Sequence, residues 1–242
     1  MKPLMPSWIS EHKHRESYEK NSSDGTSIFD QNESENNMKM NRFEYLLMTF
    51  DLGRHAYLKG IVRNLLDISQ LDPGKKILEI GCGNGVGTLF IQEIFKPEEF
   101  IATEFDKRLV EIAQMKNSGT KVMVEWGDAT DLRFQDNEFD AVIGLSVIHH
   151  IPNWRDCVDE LLRVTKSNGL LIIKELSIET FESPFGRLAR RFVAHPYDSM
   201  LGKNQFLEHL EQNGFTVMVC LPHSMPFFLN DFLLVARNEK QV

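Results

Sequence analysis

The stretch Glu79-Ile80-Gly81-Cys82-Gly83-Asn84-Gly85-Val86-Gly87 decides the fold of this chain. A short apolar run, Ile77 to Ile80, leads into it, and a predicted helix, Val86 to Ile94, follows it. Glycine allows a tight turn and a close approach of the backbone to a ligand. A strand that passes through such a turn into a helix is typical of nucleotide-type sites. The stretch therefore predicts such a site, and the alternative is a turn that serves only strand-to-helix packing.

Short apolar runs alternate with helical patterns beyond this stretch. The runs are rich in Ile and Val, as buried strands of parallel sheets are. The further predicted strands are Phe100 to Thr103, Val122 to Val124, Ala141 to Leu145, Leu170 to Ile173, Thr216 to Val219 and Phe232 to Val235. The further predicted helices are Lys107 to Gln114, Trp154 to Val164 and Gln205 to Gln212. The alternation predicts an α/β fold with a Rossmann-like, doubly wound, mostly parallel seven-stranded sheet and helices on both faces.

The chain is predicted to hold one domain with three additions to the alternating core. Residues 1–37 are rich in Ser, Asn, Glu and Lys, which predicts a flexible polar tail. The domain covers 38–242 and begins with helices at about 41–70 that cover its core. An insertion at about 176–202 follows the fifth strand.

Bulk composition argues against several classes of protein. A formal net charge of −8 makes a broad basic surface for nucleic acid unexpected. No apolar run reaches the roughly 18 to 20 residues that span a bilayer, and the N-terminus lacks a signal-peptide core, so we expect a cytoplasmic protein. Cys82, Cys157 and Cys220 are odd in number and far apart, which predicts neither disulfides nor a metal site.

Polar residues stand where the predicted strands end, and ligands of open parallel sheets bind beyond those ends. Glu104 follows the second strand and is suited to accept the hydroxyl protons of a ribose. Asp128, after the third strand, can accept a hydrogen bond from an exocyclic amine, although Gly-Asp is also common in turns. The segment Leu145 to Ile151 follows the fourth strand and is expected to line the same cleft.

These motifs together resemble the class I S-adenosylmethionine (SAM)-dependent methyltransferases. The resemblance covers roughly Phe43 to Arg237, and Val147-Ile148-His149-His150 is similar to a segment of the ubiquinone- and menaquinone-type members. It implies SAM as co-substrate. It places the methionine part of SAM on the glycine turn, the ribose after the second strand and the adenine after the third. The implied cofactor-binding residues are Glu79, Gly81, Cys82, Gly83, Gly85, Glu104, Phe105, Asp128, Ala129, Leu145 and Ser146.

The reacting end of the site is predicted near two histidines. Imidazole titrates in a range useful for a base, so His149 and His150 are candidate base or substrate-side residues, with His195 and Glu175 as weaker alternatives. A histidine that merely packs beside the following helix is the competing interpretation. A nicotinamide-dependent oxidoreductase is disfavoured, because its G-x-G-x-x-G fingerprint needs glycine where Val86 stands.

The acceptor is expected to be a small molecule, and the insertion is expected to select it. In the insertion Phe185, Leu188 and Phe192 follow helical spacing, while arginines occupy another face. This pattern indicates either a lid for an apolar or anionic acceptor, with peripheral membrane contact, or an ordinary surface helix. A protein methyltransferase and a catalytically silent SAM-binding module are the remaining alternatives.

Overall fold

The computed structural model describes residues 52–191, 195–223 and 230–240. The chain divides into two units, Met1–Glu33 and Ser34–Val242, and every described residue belongs to the second. The predicted tail, 1–37, and the first part of the predicted covering helices, 41–51, lie outside the described residues. Among the described helices, none has the length and apolar character needed to cross a membrane.

Seven strands form one sheet in the order β3-β2-β1-β4-β5-β7-β6. The strands are β1 Lys76–Ile80, β2 Glu99–Glu104, β3 Val122–Trp126, β4 Phe139–Leu145, β5 Thr165–Leu176, β6 Phe215–Pro222 and β7 Asp231–Asn238. The first five are parallel to one another, whereas β7 runs antiparallel to both β5 and β6. The predicted mostly parallel, seven-stranded sheet is confirmed. Its order reverses between β1 and β4, which is where sheets of this kind bind ligands.

Helices cover both faces of the sheet, as predicted. They are α1 Leu52–Ser69, α2 Val86–Phe95, α3 Lys107–Lys116, α4 Trp154–Val164, α5 Glu179–Glu182, α6 Pro184–Ala189 and α7 Lys203–Gln212. Apolar residues of α1 and α2 pack in one core cluster, and those of α4 and α7 pack in another. Because side chains alternate along a strand, Ile77 belongs to the first cluster and Leu78 to the second. The same alternation turns Glu79 towards the face that α2 covers.

The insertion after β5 differs in detail from the prediction. β5 extends to Leu176, and α5 and α6 follow it as two short helices. Phe181 and Met200 pack with Leu176 in a small cluster of their own. Leu188, in the predicted apolar stripe, is 51% exposed. The side chain of Phe185 and all of Phe192 lie outside the described parts of the chain, so Leu188 is the member of the stripe whose packing is visible.

Candidate functional site

A cleft opens at the carboxyl ends of β1, β2 and β4 and encloses about 980 Å³ of space, its open mouth included. All but one of the predicted cofactor-binding residues line it, namely Glu79, Gly81, Cys82, Gly83, Glu104, Phe105, Asp128, Ala129, Leu145 and Ser146. The exception is Gly85, which precedes α2 and whose carbonyl accepts a hydrogen bond of 3.1 Å from Asn117 Nδ2. Leu58 of α1 also contributes to the wall.

The glycine turn has a conformation that a side chain would disturb. Gly81 and Gly83 have φ values of +61° and +56°, in the left-handed region. A Cβ atom on Gly81 would lie 2.1 Å from Val147 Cγ2. The turn therefore depends on glycine for its backbone conformation and for the close approach of the segment after β4.

We expect Gly81→Ala to lower the free energy of unfolding by about 2–4 kcal/mol, because it adds overpacking to left-handed strain. Gly74→Ala is the matched control, since Gly74 has φ +78° but no atom within 4 Å of a Cβ atom there. That control is expected to cost about 1 kcal/mol. Urea unfolding of the two variants gives the comparison. Equal losses would show that contact with Val147 does not constrain the turn.

Glu104 ties the glycine turn to the start of α3. Its Oε2 accepts a hydrogen bond of 2.8 Å from the Gly83 N–H, and its Oε1 accepts one of 2.9 Å from the Asp106 N–H. Burial raises the pKa of Glu104, while these backbone donors favour its ionised form. Asp106 caps α3 by accepting from the Arg108 N–H at 3.0 Å, as a helix-capping aspartate does. Glu104 is left oriented towards the cleft with lone pairs for further donors.

Glu79 is a buried acid on the cleft wall, with only 1% of its surface exposed. Burial raises its pKa to about 8, and the neighbouring Glu104 charge adds to the shift. Within the described part of the chain, Glu79 Oε2 has no hydrogen-bond partner. A buried carboxylate oxygen of this kind is suited to a cationic ligand group that enters the cleft.

The end of β3 presents both a turn and a cleft wall. Asp128 Oδ1 accepts hydrogen bonds from the Thr130 N–H at 2.9 Å and from Thr130 Oγ1 at 2.8 Å. Asp128 also lines the cleft, so the turn interpretation and the ligand interpretation apply to the same side chain. Beside it, Phe105 packs against Trp126 with 6.0 Å between ring centroids.

The two predicted histidines have different positions after β4. Both lie in a short 3-10 helix, Ile148–His150. His150 lines the cleft, whereas His149 is buried behind it and its Nδ1 pairs with the Glu175 carboxylate. Burial lowers the pKa of His149 to about 3, and burial together with the neighbouring imidazoles holds the pKa of His150 well below its ordinary value.

His195, from the insertion, joins these two rings. Its centroid lies 5.0 Å from that of His149 and 4.6 Å from that of His150. The sequence indicated His195 and Glu175 only as weaker candidates, because nothing in their spacing predicts this contact.

Lys174, which the sequence did not indicate as a site residue, is buried behind the cleft wall. Its Nζ donates a 2.8 Å hydrogen bond to Ser146 Oγ and lies 3.2 Å from Asp231 Oδ2. Ser146 has a φ of +61°, so the wall bends sharply at this point. A lysine inside the apolar run Leu170 to Leu176 was the available signal, since lysine is rarely buried without a partner.

Comparison with known proteins shows that this chain is similar to methyltransferases. A profile described as a methyltransferase domain matches residues 78–173, which run from within β1, through β2 to β4, into β5. A phthiotriol/phenolphthiotriol dimycocerosates methyltransferase of Mycobacterium ulcerans is 24% identical over 64% of this chain and 58% of its own length. A demethylmenaquinone methyltransferase of Staphylococcus carnosus is 28% identical over 63% of this chain and 66% of its own. The match identifies a methyltransferase domain within the chain, which is similar to the class I SAM-dependent methyltransferases.

Solved structures agree with the fold of a class I methyltransferase. A SAM-dependent methyltransferase from Mesorhizobium loti superposes with a TM-score of 0.60, covering 74% of this chain and 99% of its own, at 15% identity. The match with each of the two curated relatives spans less than two thirds of that relative's length. Val86, where the nicotinamide fingerprint needs glycine, begins α2 with its side chain buried, in keeping with a methyltransferase.

The residues of the methyltransferase cleft fit SAM chemically. SAM carries an ammonium and a sulfonium, and the cleft presents the buried acid Glu79 with one oxygen left for a donor. Its nucleoside carries vicinal hydroxyls, and Glu104 presents an oriented carboxylate for them. The turn at Gly81 supplies backbone close to both acids.

Proposed function

We propose that this protein is a methyltransferase that moves the methyl group of SAM to a small-molecule acceptor by in-line displacement. The observation that carries the proposal is a pair of acids, the buried Glu79 and the half-buried Glu104, on either side of a glycine turn in one cleft. The described lining carries four acids, Glu79, Glu104, Asp106 and Asp128, and neither Lys nor Arg, which suits a ligand that is cationic at one end and a nucleoside at the other.

Each part of the cleft then has a task. SAM, when bound, supplies a methyl group on a sulfonium, which makes a neutral thioether the leaving group. The backbone around Gly81 and Gly83 holds the methionine part, with Leu145 and Ser146 near its amino group. Glu104 takes the ribose hydroxyls. Phe105 covers the adenine face, and Asp128 with Ala129 meets the adenine edge. The chain's main contribution is alignment of the acceptor behind the methyl carbon and exclusion of water.

The acceptor side of the cleft supports a small apolar or anionic molecule. The relatives described above are named for dimycocerosate and demethylmenaquinone acceptors. Val147 and Ile151 form an apolar wall beyond the glycine turn, and His149 and His150 stand as the candidate base or substrate-side residues. Arg187 and Arg190 of the insertion are exposed and give an anionic acceptor a place to approach.

The test is incubation of the protein with methyl-labelled SAM and cell extract, followed by separation into protein, lipid and small-molecule fractions. We expect the label in the lipid or small-molecule fraction, because Val147 and Ile151 give the cleft an apolar wall and the similar proteins are named for lipid and quinone acceptors. Glu104→Gln serves as the control that should transfer no label. Label found in the protein fraction alone would establish a protein methyltransferase instead.

A further inference from the structure

Three imidazoles from distant parts of the sequence meet beside the cleft. His149 and His150 follow β4, and His195 comes from the insertion after β5. One ligand nitrogen of each lies within 4.8 Å of those of the other two. Since His150 also lines the cleft, the group stands between the buried core and the acceptor side of the cleft.

Glu175 fixes the orientation of the first imidazole. Its Oε1 pairs with His149 Nδ1, and its Oε2 accepts hydrogen bonds from the N–H groups of Ile148 at 2.8 Å and Val147 at 3.2 Å. In the neutral imidazole, the Nδ1–H of His149 therefore donates to the carboxylate, and Nε2 keeps its lone pair. A histidine whose second nitrogen donates to a carboxylate is the usual arrangement of histidine ligands in metal sites.

We propose that His149, His150 and His195 bind one divalent transition metal ion, with zinc as the best match, and leave a coordination position open towards the cleft. Three neutral imidazoles suit Zn²⁺, and catalytic zinc sites keep three protein ligands and one open position. The open position takes an oxygen of the methyl acceptor, which makes the acceptor class a molecule with a hydroxyl or carboxylate near the reacting atom. This acceptor role rests on the proposed function, whereas the metal site itself does not.

The site departs from the sequence expectation that no metal is bound. That expectation rested on cysteine spacing, and this ligand set contains no cysteine. Ligand nitrogens around a tetrahedral zinc ion stand about 3.3 Å apart, so the rings must close from the 4.8 Å limit seen here. His195 is the ligand placed to move, because it lies in irregular chain between α6 and α7. Metal binding would therefore draw the insertion towards the cleft.

Aromatic rings already surround His195 on its outer side. The centroid of Phe181 lies 5.1 Å from it and that of Tyr197 lies 5.7 Å from it. These two rings give the imidazole of His195 apolar neighbours besides its two histidine partners. An apolar shell of this kind strengthens metal binding by controlling the local dielectric.

The test is a calorimetric titration of the chelator-treated, untagged full chain with ZnCl₂, supported by the absorption spectrum of the Co²⁺ form. We expect one equivalent of zinc, and at least tenfold weaker binding by His150→Gln and by His195→Gln. His209→Gln is the matched control, a partly buried imidazole that contacts Trp154 away from the group, and it should bind zinc as the native chain does. A His12→Gln, His14→Gln double variant controls for binding by the N-terminal histidines.

Two further readouts keep the result interpretable. Zinc should protect His150 and His195 of the native chain from diethyl pyrocarbonate while His209 still reacts, a comparison that needs no variant to fold. Titration with S-adenosylhomocysteine in parallel tests the SAM site separately, and retained binding shows that a variant is folded. Absence of zinc binding by the native chain, or binding that survives both cluster variants, overturns the metal site whatever the result with S-adenosylhomocysteine.

Discussion

Glu104→Gln is expected to weaken the binding of S-adenosylhomocysteine by about 100-fold, since two hydrogen bonds between a carboxylate and ribose hydroxyls are worth about 3 kcal/mol or more. The carboxylate is already oriented by the Gly83 and Asp106 N–H groups. An amide offers one acceptor oxygen where the carboxylate offers two, so the variant must give up either the backbone contacts or the ribose contacts. Calorimetric titration of both proteins measures the difference.

Glu99→Gln is the matched control for this experiment. Glu99 begins the strand that Glu104 ends, and its exposed side chain pairs with Lys76 at 3.0 Å, far from the cleft. We expect its affinity for S-adenosylhomocysteine to equal that of the native chain. Equal affinity of Glu104→Gln and native protein would refute the assignment of the ribose to Glu104.

Glu79→Gln is expected to stabilise the free protein at pH 8 by about 3 kcal/mol while weakening its affinity for SAM. Burial raises the pKa of Glu79 to about 8, so between its unfolded value of 4.5 and about 8 the folded state binds more protons than the unfolded state. The stability that comes from holding the protonated Glu79 side chain in the core is therefore fully present below pH 4.5, and it is lost as the pH rises towards 8. Glutamine does not titrate, so the variant escapes this loss.

Urea unfolding at pH 5 and pH 8 tests the expected change. The gain of Glu79→Gln over the native chain should grow between the two pH values, and taking that difference removes the contributions of other buried groups such as His149. Glu93→Gln removes an exposed acid of α2 that pairs with Lys59 of α1, and its gain in stability over the native chain should not grow between the two pH values. A variant less stable than the native chain at pH 8 would contradict the buried, weakly acidic state of Glu79.

The expected loss of SAM affinity in Glu79→Gln can be measured separately, through the proton that SAM binding releases. A cation beside Glu79 favours the ionised carboxylate, so SAM binding near pH 7 should release a proton. Calorimetry in two buffers of different ionisation enthalpy detects that release. Glu79→Gln should bind SAM more weakly and release fewer protons. Unchanged affinity would remove Glu79 from the binding site.

The sheet was predictable because its strands are short, apolar and fully buried. Each predicted strand overlaps an observed one. The cleft was predictable for a related reason. Parallel strands bring their carboxyl ends together, so Glu79, Glu104 and Asp128 meet in space without any contact between them being visible in sequence.

Contacts made by irregular chain were not predictable in this way. The approach of His195 to His149 depends on the path of the insertion, which has no periodicity to read. The link between Lys174 and Ser146 depends on the register of β5 against β4, where Lys174 stands opposite Leu145. Gly85 resembled its neighbours in sequence, yet its carbonyl accepts a hydrogen bond from Asn117, and a Cβ atom there would meet Ala113 of α3.

The position of β7 has a consequence for synthesis. β7 lies between β5 and β6 in the sheet but follows both of them along the chain. On the ribosome β5 and β6 therefore emerge before β7, the strand that lies between them. Until β7 emerges, the apolar strand β5 has an edge of unpaired N–H and C=O groups. A nascent chain is most exposed to aggregation in that interval. A chain cut after Asn230 would keep that edge open permanently.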